Sequence, residues 1–368
     1  MQTITKTFGP VPVPDVKSAG LHQADLLLFD IETTGLSPDH AFIYLIGCIA
    51  FGADGNRFFT QYLADSKEDE KEVLENFFGL ASGARALVSY NGERFDLPFI
   101  QKRCTVLEIP DRIENKESID LLKIVRPIRG YLGLFDLKQT TVEAYFGTGR
   151  TEETSGGDLI RVYFDYMKTG SGAEREALLS HNEADVLGLS GLMPLIAYKN
   201  FFETPLRLYK AEARKYSAYD ESEGEELLLC FHIEDPLSKP ILASRGGCFL
   251  RADGSGGFLK VPLFETELKY FYADYKEYWY FPEEDLALHR SVAQFSDRTH
   301  REPATARTCY TRKQSSFLPE WSRFAEPVFK KDFDDPGVYF ELTEERKHSR
   351  AFFSGYAQYV LKYIVNGQ

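Results

Sequence analysis

The chain has 368 residues, with 43 basic and 56 acidic side chains and a net charge of −13. At about 100–200 residues per domain the length implies two domains, and a composition 43% hydrophobic and 27% charged excludes wholesale disorder. The acidity excludes a generic nucleic-acid coat, which needs clustered Lys and Arg to displace counterions. It leaves room for a protein that grips a nucleic-acid end with a few groups and lets metal ions neutralise the rest.

No apolar run approaches the roughly 18–20 residues that span a bilayer, so no membrane association is expected. Residues 1–20 carry Pro10, Pro12 and Pro14 and no apolar stretch, and read as an extended lead-in rather than a secretory signal. Cys48, Cys104, Cys230, Cys248 and Cys309 are odd in number, far apart and never C-x-x-C, which argues against a disulfide framework or a zinc ribbon. A reducing, cytoplasmic setting is the simplest expectation.

In chain order, residues 26–32 form an apolar run ending in Asp30-Ile31-Glu32 and read as a buried central strand. Two more strands are predicted over 42–51 and 57–63, joined by the turn residues Ala53-Asp54-Gly55-Asn56. Val73, Leu74, Phe77 and Phe78 recur at helical spacing within 67–80. A short strand follows at 86–90, a helix at 97–103 with Pro98 in its first turn, and another strand at 118–122. Helices are predicted over 137–146 and 159–168, then one long helix from 173 to about 198. The order predicts an α/β fold, a mixed sheet with an antiparallel meander leading into parallel crossovers, flanked by helices.

Beyond about Asn200 the texture changes. Strands are expected at 227–233 and 248–263, the latter folded into a hairpin at Asp253-Gly254-Ser255-Gly256-Gly257, with a C-terminal helix over 344–365. The expected organisation is a lead-in (1–20), an α/β domain (21–200) and a smaller accessory α+β domain (201–368).

Three local patterns carry chemistry. Asp30 and Glu32, two apart on a strand, project from the same face, at the strand's C-terminal end, where open α/β sheets place their sites. Carboxylates this close repel unless a cation sits between them, and oxygen ligands favour magnesium or manganese over zinc. Asp96 lies at a strand-to-helix junction in Asn91-Gly92-Glu93-Arg94-Phe95-Asp96, where a plain N-cap is the alternative. His181 and Asp185 stand at i and i+4, one turn apart on one helix face, a spacing that a surface pair also satisfies.

Together the three strings resemble the Exo I, Exo II and Exo III motifs of the DEDD 3′-to-5′ exonucleases of the ribonuclease H-like superfamily. Within that group they are most similar to the YprB-like branch, itself similar to the proofreading domains of B-family polymerases. Asp30-Ile31-Glu32-Thr33-Thr34-Gly35-Leu36 resembles Exo I, Asn91-x-x-x-Phe95-Asp96 resembles Exo II, and His181-x-x-x-Asp185 resembles Exo III. The resemblance covers about residues 25–198. Arg150-Thr151-Glu152-Glu153-Thr154-Ser155-Gly156 resembles the branch's R-x-x-D-I-x-G segment, with Glu-Thr in place of Asp-Ile. One departure stands out: a His occupies the spacing that tyrosine-type members give to Tyr. Four residues along a helix return to nearly the same face, so His181 can point with Asp185.

The resemblance implies hydrolysis of single-stranded DNA or RNA from the 3′ end by a two-metal mechanism. Asp30, Glu32, Asp96 and Asp185 would hold two divalent cations, Mg2+ or Mn2+. His181 would be the general base, or an orienter of water or phosphate; an unperturbed imidazole pKa of about 6.5 suits the first task. Thr33, Leu36, Asn91 and Phe95 are implied substrate contacts, with Leu36 a wedge against the terminal base and Phe95 a stacking surface. From the residues alone, Leu36 and Phe95 fit a core equally well, and Asn91 fits a turn before Gly92. A non-catalytic binding module on the same fold and an endonuclease are the rival readings.

Asp120, in Ser118-Ile119-Asp120-Leu121-Leu122, resembles a recurrent family position and is expected to be structural. Seven cations between Arg94 and Arg129 (Lys102, Arg103, Arg112, Lys116, Lys123, Arg126 and Arg129) either line a substrate groove or form a solvated face. Residues 290–331 carry nine basic and four acidic side chains, interleaved with Phe295, Tyr310, Phe317, Trp321 and Phe324. That mixture suits single-stranded nucleic acid or, equally, an aromatic core beneath solvated charges. His289, His300, Cys248 and Cys309 match no zinc-site spacing.

Overall fold

The computed structural model describes residues 1–149, 156–217, 223–295 and 300–366. The chain divides into two compact units, one made of Met1–Thr204 with Asp235–Lys239, the other of Pro205–Glu234 with Pro240–Gln368.

The first unit is built on six strands: β1 (Gln2–Phe8), β2 (Leu26–Thr33), β3 (Ile43–Phe51), β4 (Arg57–Leu63), β5 (Ala86–Ser89) and β6 (Glu117–Asp120). They lie in the order β1-β4-β3-β2-β5-β6. The pairs β1–β4, β4–β3 and β3–β2 are antiparallel, whereas β2–β5 and β5–β6 are parallel. This is the predicted mixed sheet, and it places β2 at the change from meander to crossover. The lead-in contributes more than extended chain, because Gln2–Phe8 pairs along β4 as an edge strand.

The helices of this unit are α1 (Glu70–Ala81), α2 (Asp96–Val106), α3 (Leu121–Val125), α4 (Arg129–Leu132), α5 (Gln139–Phe146), α6 (Gly156–Thr169), α7 (Gly172–Gly191) and α8 (Leu195–Glu203). Val73, Leu74, Phe77 and Phe78 of α1 are buried against the sheet, with Phe77 on Phe29 at 5.4 Å between ring centres. Tyr163 of α6 stacks on Tyr44 of β3 at 4.1 Å. Helix α7 packs on β2 and β3. The single helix expected from 173 to 198 is two: Pro194 has no N–H for the ladder and its ring would strike the preceding turn, so α7 stops at Gly191 and α8 begins at Leu195.

The second unit contains β7 (Arg207–Ser217), β8 (Glu223–Arg245), β9 (Cys248–Phe271), β10 (Tyr278–Phe281), β11 (Leu286–His289), α9 (Arg290–Ala293), β12 (Glu302–Pro303), β13 (Tyr310–Glu320), β14 (Val328–Phe329), β15 (Val338–Glu341), α10 (Glu344–Lys347) and α11 (Arg350–Asn366). Six strands form a sheet in the order β14-β15-β13-β9-β8-β7, against which α11 packs, and three more form a small sheet β11-β10-β12. It is an α+β arrangement. The hairpin expected at Asp253–Gly257 is absent, since β9 runs through it. The reversal falls at Gly246 and Gly247, whose φ values of 56° and 80° glycine alone adopts freely.

Candidate active site

The parallel pairing of β2 and β5 sends both strands to the same sheet edge. Pairing stops at Leu28–Val88, so the β2 backbone beyond it has no β5 partner. The loop after β5 fills that place: the Ile31 amide donates to Asp96 Oδ1 at 3.2 Å. Asp96, 6% exposed, is thereby anchored to β2 at the residue that separates Asp30 from Glu32 in sequence. The loop is tight. Asn91 has φ 65°, a left-handed conformation that Asn tolerates better than most residues, and a Cβ on Gly92 would stand 2.2 Å from Ser89 Oγ.

Asp120 braces this loop. Its Oδ1 accepts from the amides of Asn91 (2.8 Å) and Leu122 (3.0 Å), capping α3. Both bonds are to backbone, as a structural role requires.

From the other side, α7 presents His181 and Asp185. His181 Nε2 lies 3.0 Å from Asp185 Oδ2 and 3.7 Å from Glu32 Oε1. Ligand atoms of Glu32, His181 and Asp185 all fall within 4.8 Å of one another, a group able to hold a metal ion. Asn182, on the next position of the helix and fully buried, donates from Nδ2 to Asp30 Oδ2 at 3.1 Å.

The electrostatics are those of carboxylates gathered without enough positive charge. Burial holds the Asp30 carboxyl well above the ordinary range; repulsion from Asp185, Asp96 and Glu32 adds to it, and only the Asn182 hydrogen bond opposes it. Burial pushes Glu32 up to about 7, with Asp185 and Asp96 adding and His181 opposing. Asp96 is likewise pushed up to about 7 by burial, against the backbone amides that bond it. A divalent cation would remove this penalty, and the oxygen-rich donor set fits a hard ion.

The remaining sequence-predicted residues are placed unevenly. Leu36, in the turn after β2, is 85% exposed and belongs to no core. Thr33 is buried, and its hydroxyl donates to the Gly35 carbonyl at 2.8 Å, so it shapes that turn. Phe95 is half-buried, packed on the core with its ring 5.6 Å from Phe99. Asn91 uses its amide on Asp120, while its conformation makes the turn. Residues 150–155 of the Arg150–Gly156 segment lie outside the described residues. Asn182 was missed by motif reading. It lies inside the quoted string, but its partner Asp30 is 152 residues away.

The cations between Arg94 and Arg129 are largely occupied. Arg103 makes a buried bidentate pair with Glu70 (2.8 and 2.6 Å), Lys102 meets Asp39, Lys123 meets Glu93, and Lys116 donates to the Ala84 carbonyl.

Residues 27–197 match the family model described as RNase_H superfamily. Within the chain, 27–197 is the part that is similar to that superfamily. The chain is also similar to the protein named Uncharacterized protein YprB of Bacillus subtilis (strain 168), 28% identical over 187 residues, 48% of this chain and 43% of that protein. The match thus spans less than half of YprB. Among solved structures, a family B DNA polymerase from the hyperthermophilic archaeon Pyrobaculum calidifontis shares 17% identity at TM-score 0.37, over 68% of this chain and 35% of the polymerase. The zinc-bound E. coli ExoI–ssDNA complex shares 11% identity at TM-score 0.32, over 56% of this chain and 54% of ExoI. Among the described residues no helix is long and apolar enough to cross a membrane.

Proposed function

We propose that the RNase H-like domain is a metal-dependent 3′-to-5′ exonuclease acting on single-stranded nucleic-acid ends. One observation carries this: Glu32, His181 and Asp185 present ligand atoms within 4.8 Å of one another, in company with half-buried Asp30 and buried Asp96, whose carboxyls are held above the ordinary range. Such crowding destabilises a fold unless a cation relieves it.

Asp30, Glu32, Asp96 and Asp185 would hold two divalent ions, Mg2+ or Mn2+. Bound there, the ions would supply positive charge for the scissile phosphate and acidify water. The protein's own groups do the rest. His181 holds Nε2 3.0 Å from Asp185 Oδ2 and 3.7 Å from Glu32 Oε1, so the imidazole stands at the reacting centre, where it would orient water or phosphate, or take water's proton once Asp185 is engaged by a cation. As the water oxygen bonds to phosphorus, the bond to the 3′ oxygen of the preceding nucleotide breaks, and a 5′-mononucleotide leaves. Leu36, exposed in the turn after β2, would press on the terminal base, while Phe95, Asn91 and Thr33 would shape its bed.

The test is a panel of end-labelled single- and double-stranded DNA and RNA, with Mn2+ or Mg2+. Stepwise loss of 3′ nucleotides is expected, with circular single strands untouched. Cutting of circles would make it an endonuclease. Binding without cleavage of any substrate would make it a binding module.

A further inference from the structure

We propose that Asn182 is the positioning residue of Asp30, aimed by Gln61 and admitted by Gly47. The inference rests on reading Asp30 as a metal ligand.

Three strands contribute to it. Asp30 of β2 is paired with Gly47 of β3, and Gly47 with Gln61 of β4, so the three form one row across the sheet. Asn182 of α7 lies over the middle of that row. Its Nδ2 donates to Asp30 Oδ2 at 3.1 Å, and its Oδ1 accepts from Gln61 Nε2 at 3.0 Å. Gln61 Nε2 also donates to the Leu179 carbonyl at 2.9 Å. Asn182 and Gln61 are both fully buried.

The direction of this chain is fixed by chemistry. Turning the Asn182 amide over would set its oxygen against the Asp30 carboxylate. Turning Gln61 over would set its oxygen against two acceptors. Gln61 Oε1 has no hydrogen-bond partner among the described residues, so a buried acceptor is left unsatisfied while both N–H groups point forward. An unsatisfied buried polar atom is a real penalty, tolerated where it enforces an orientation.

Gly47 makes room. A Cβ there would stand 2.1 Å from Asn182 Oδ1 and 2.9 Å from its Cγ, so no other residue lets the amide lie over the strand. The same Cβ would meet Val186 Cγ2 at 2.9 Å. Asn182 thus turns one Asp30 oxygen, a job that groups behind metal ligands commonly do at about 10–100-fold in metal affinity.

The experiment is Mn2+ titration by calorimetry on the full chain, with melting temperature and nucleotide release measured in parallel. Asn182→Ala is expected to weaken Mn2+ binding about 10–100-fold and to lower turnover more than substrate affinity. Should it fail to fold, Asn182→Ser keeps a polar group near Gln61 but is too short to reach Asp30, and the same loss is expected. Gly47→Ala should weaken Mn2+ binding in the same way. In Gly47→Ala/Asn182→Ala the affinity losses should not add, because the Cβ no longer has an amide to displace, although the Val186 clash still lowers stability. Wild-type affinity in Asn182→Ala, additive losses in the double variant, or no Mn2+ binding by the wild type would each overturn the inference. Mn2+ binding without any nucleotide release would overturn the exonuclease reading and leave this one standing.

Discussion

The second unit and the candidate site treat acidic side chains in opposite ways, while elsewhere in the first unit buried Glu70 is matched by Arg103. In the second unit Glu341, 8% exposed, takes Lys313 Nζ at 2.6 Å and Ser315 Oγ at 2.8 Å, and these hold its carboxyl below the ordinary range despite burial. Glu226, 7% exposed, lies between Arg214 and Lys260. In the first unit Glu32 and Asp96 are pushed up to about 7, and Asp30 higher than its usual range, with other carboxylates as neighbours. Where burial serves only the fold, each acid is matched within the chain. Where it is not matched, the missing charge points to something the chain binds.

That contrast can be broken by measurement. Asp185→Ala should lower nucleotide release by at least about 1,000-fold while circular dichroism stays native, since one group of a cooperating set is lost; full turnover in this variant would take Asp185 out of the site. The next effect is on pH. Glu32 and Asp96 bind their protons more tightly folded than unfolded, where their pKa values are 4.5 and 3.8. Each therefore contributes stability that is full below its unfolded pKa and lost as pH rises through about 7. Metal-free protein should melt higher at pH 5 than at pH 8, and Mn2+ should restore most of the difference at pH 8. A flat metal-free profile would remove the claim of crowding.

A smaller pair of effects tests the comparison through its sign. Asp30→Asn relieves repulsion and should raise the metal-free melting temperature at pH 8 by about 3 °C, whereas Glu341→Gln removes a paired charge and should lower it by a similar amount. Shifts of the same sign would erase the distinction between the two regions. Least of all, Leu36→Ala should leave stability within about 0.5 kcal/mol, because the side chain touches no core, yet slow removal of the terminal nucleotide of a single strand several-fold in gel assays. An unchanged rate would make Leu36 an incidental exposed residue.

For the basic, aromatic stretch 290–331 the structure favours the second of its two sequence readings, an aromatic core beneath charged flanks. Tyr310 and Phe317 are buried, and Trp321 stacks on Tyr363 at 3.6 Å. Arg307 pairs with Asp334, Arg312 with Asp285, Lys313 with Glu341 and Arg323 with Glu326. Only Phe295, of the five aromatics named, is strongly exposed at 87%. The stretch therefore reads as a core strand with paired flanks, since most of its partners come from outside 290–331 and a local charge count does not see them.

What could be read from sequence was local. A period of two puts Asp30 and Glu32 on one face of a strand, and a spacing of four puts His181 and Asp185 on one face of a helix. The alternating and helical runs marked the strands of the mixed sheet, with 57–63 matching β4 at both ends. Tertiary structure decided the rest. It set where α7 stops, which glycine pair turns the second unit's long hairpin, and which cations are spent on neighbours. It also decided that Asn182, an unremarkable helix residue, reaches Asp30 152 residues away over a glycine. Backbone periodicity is a property of neighbouring residues and is written in their order. Charge compensation and close approach belong to residues that meet only once the sheet has formed.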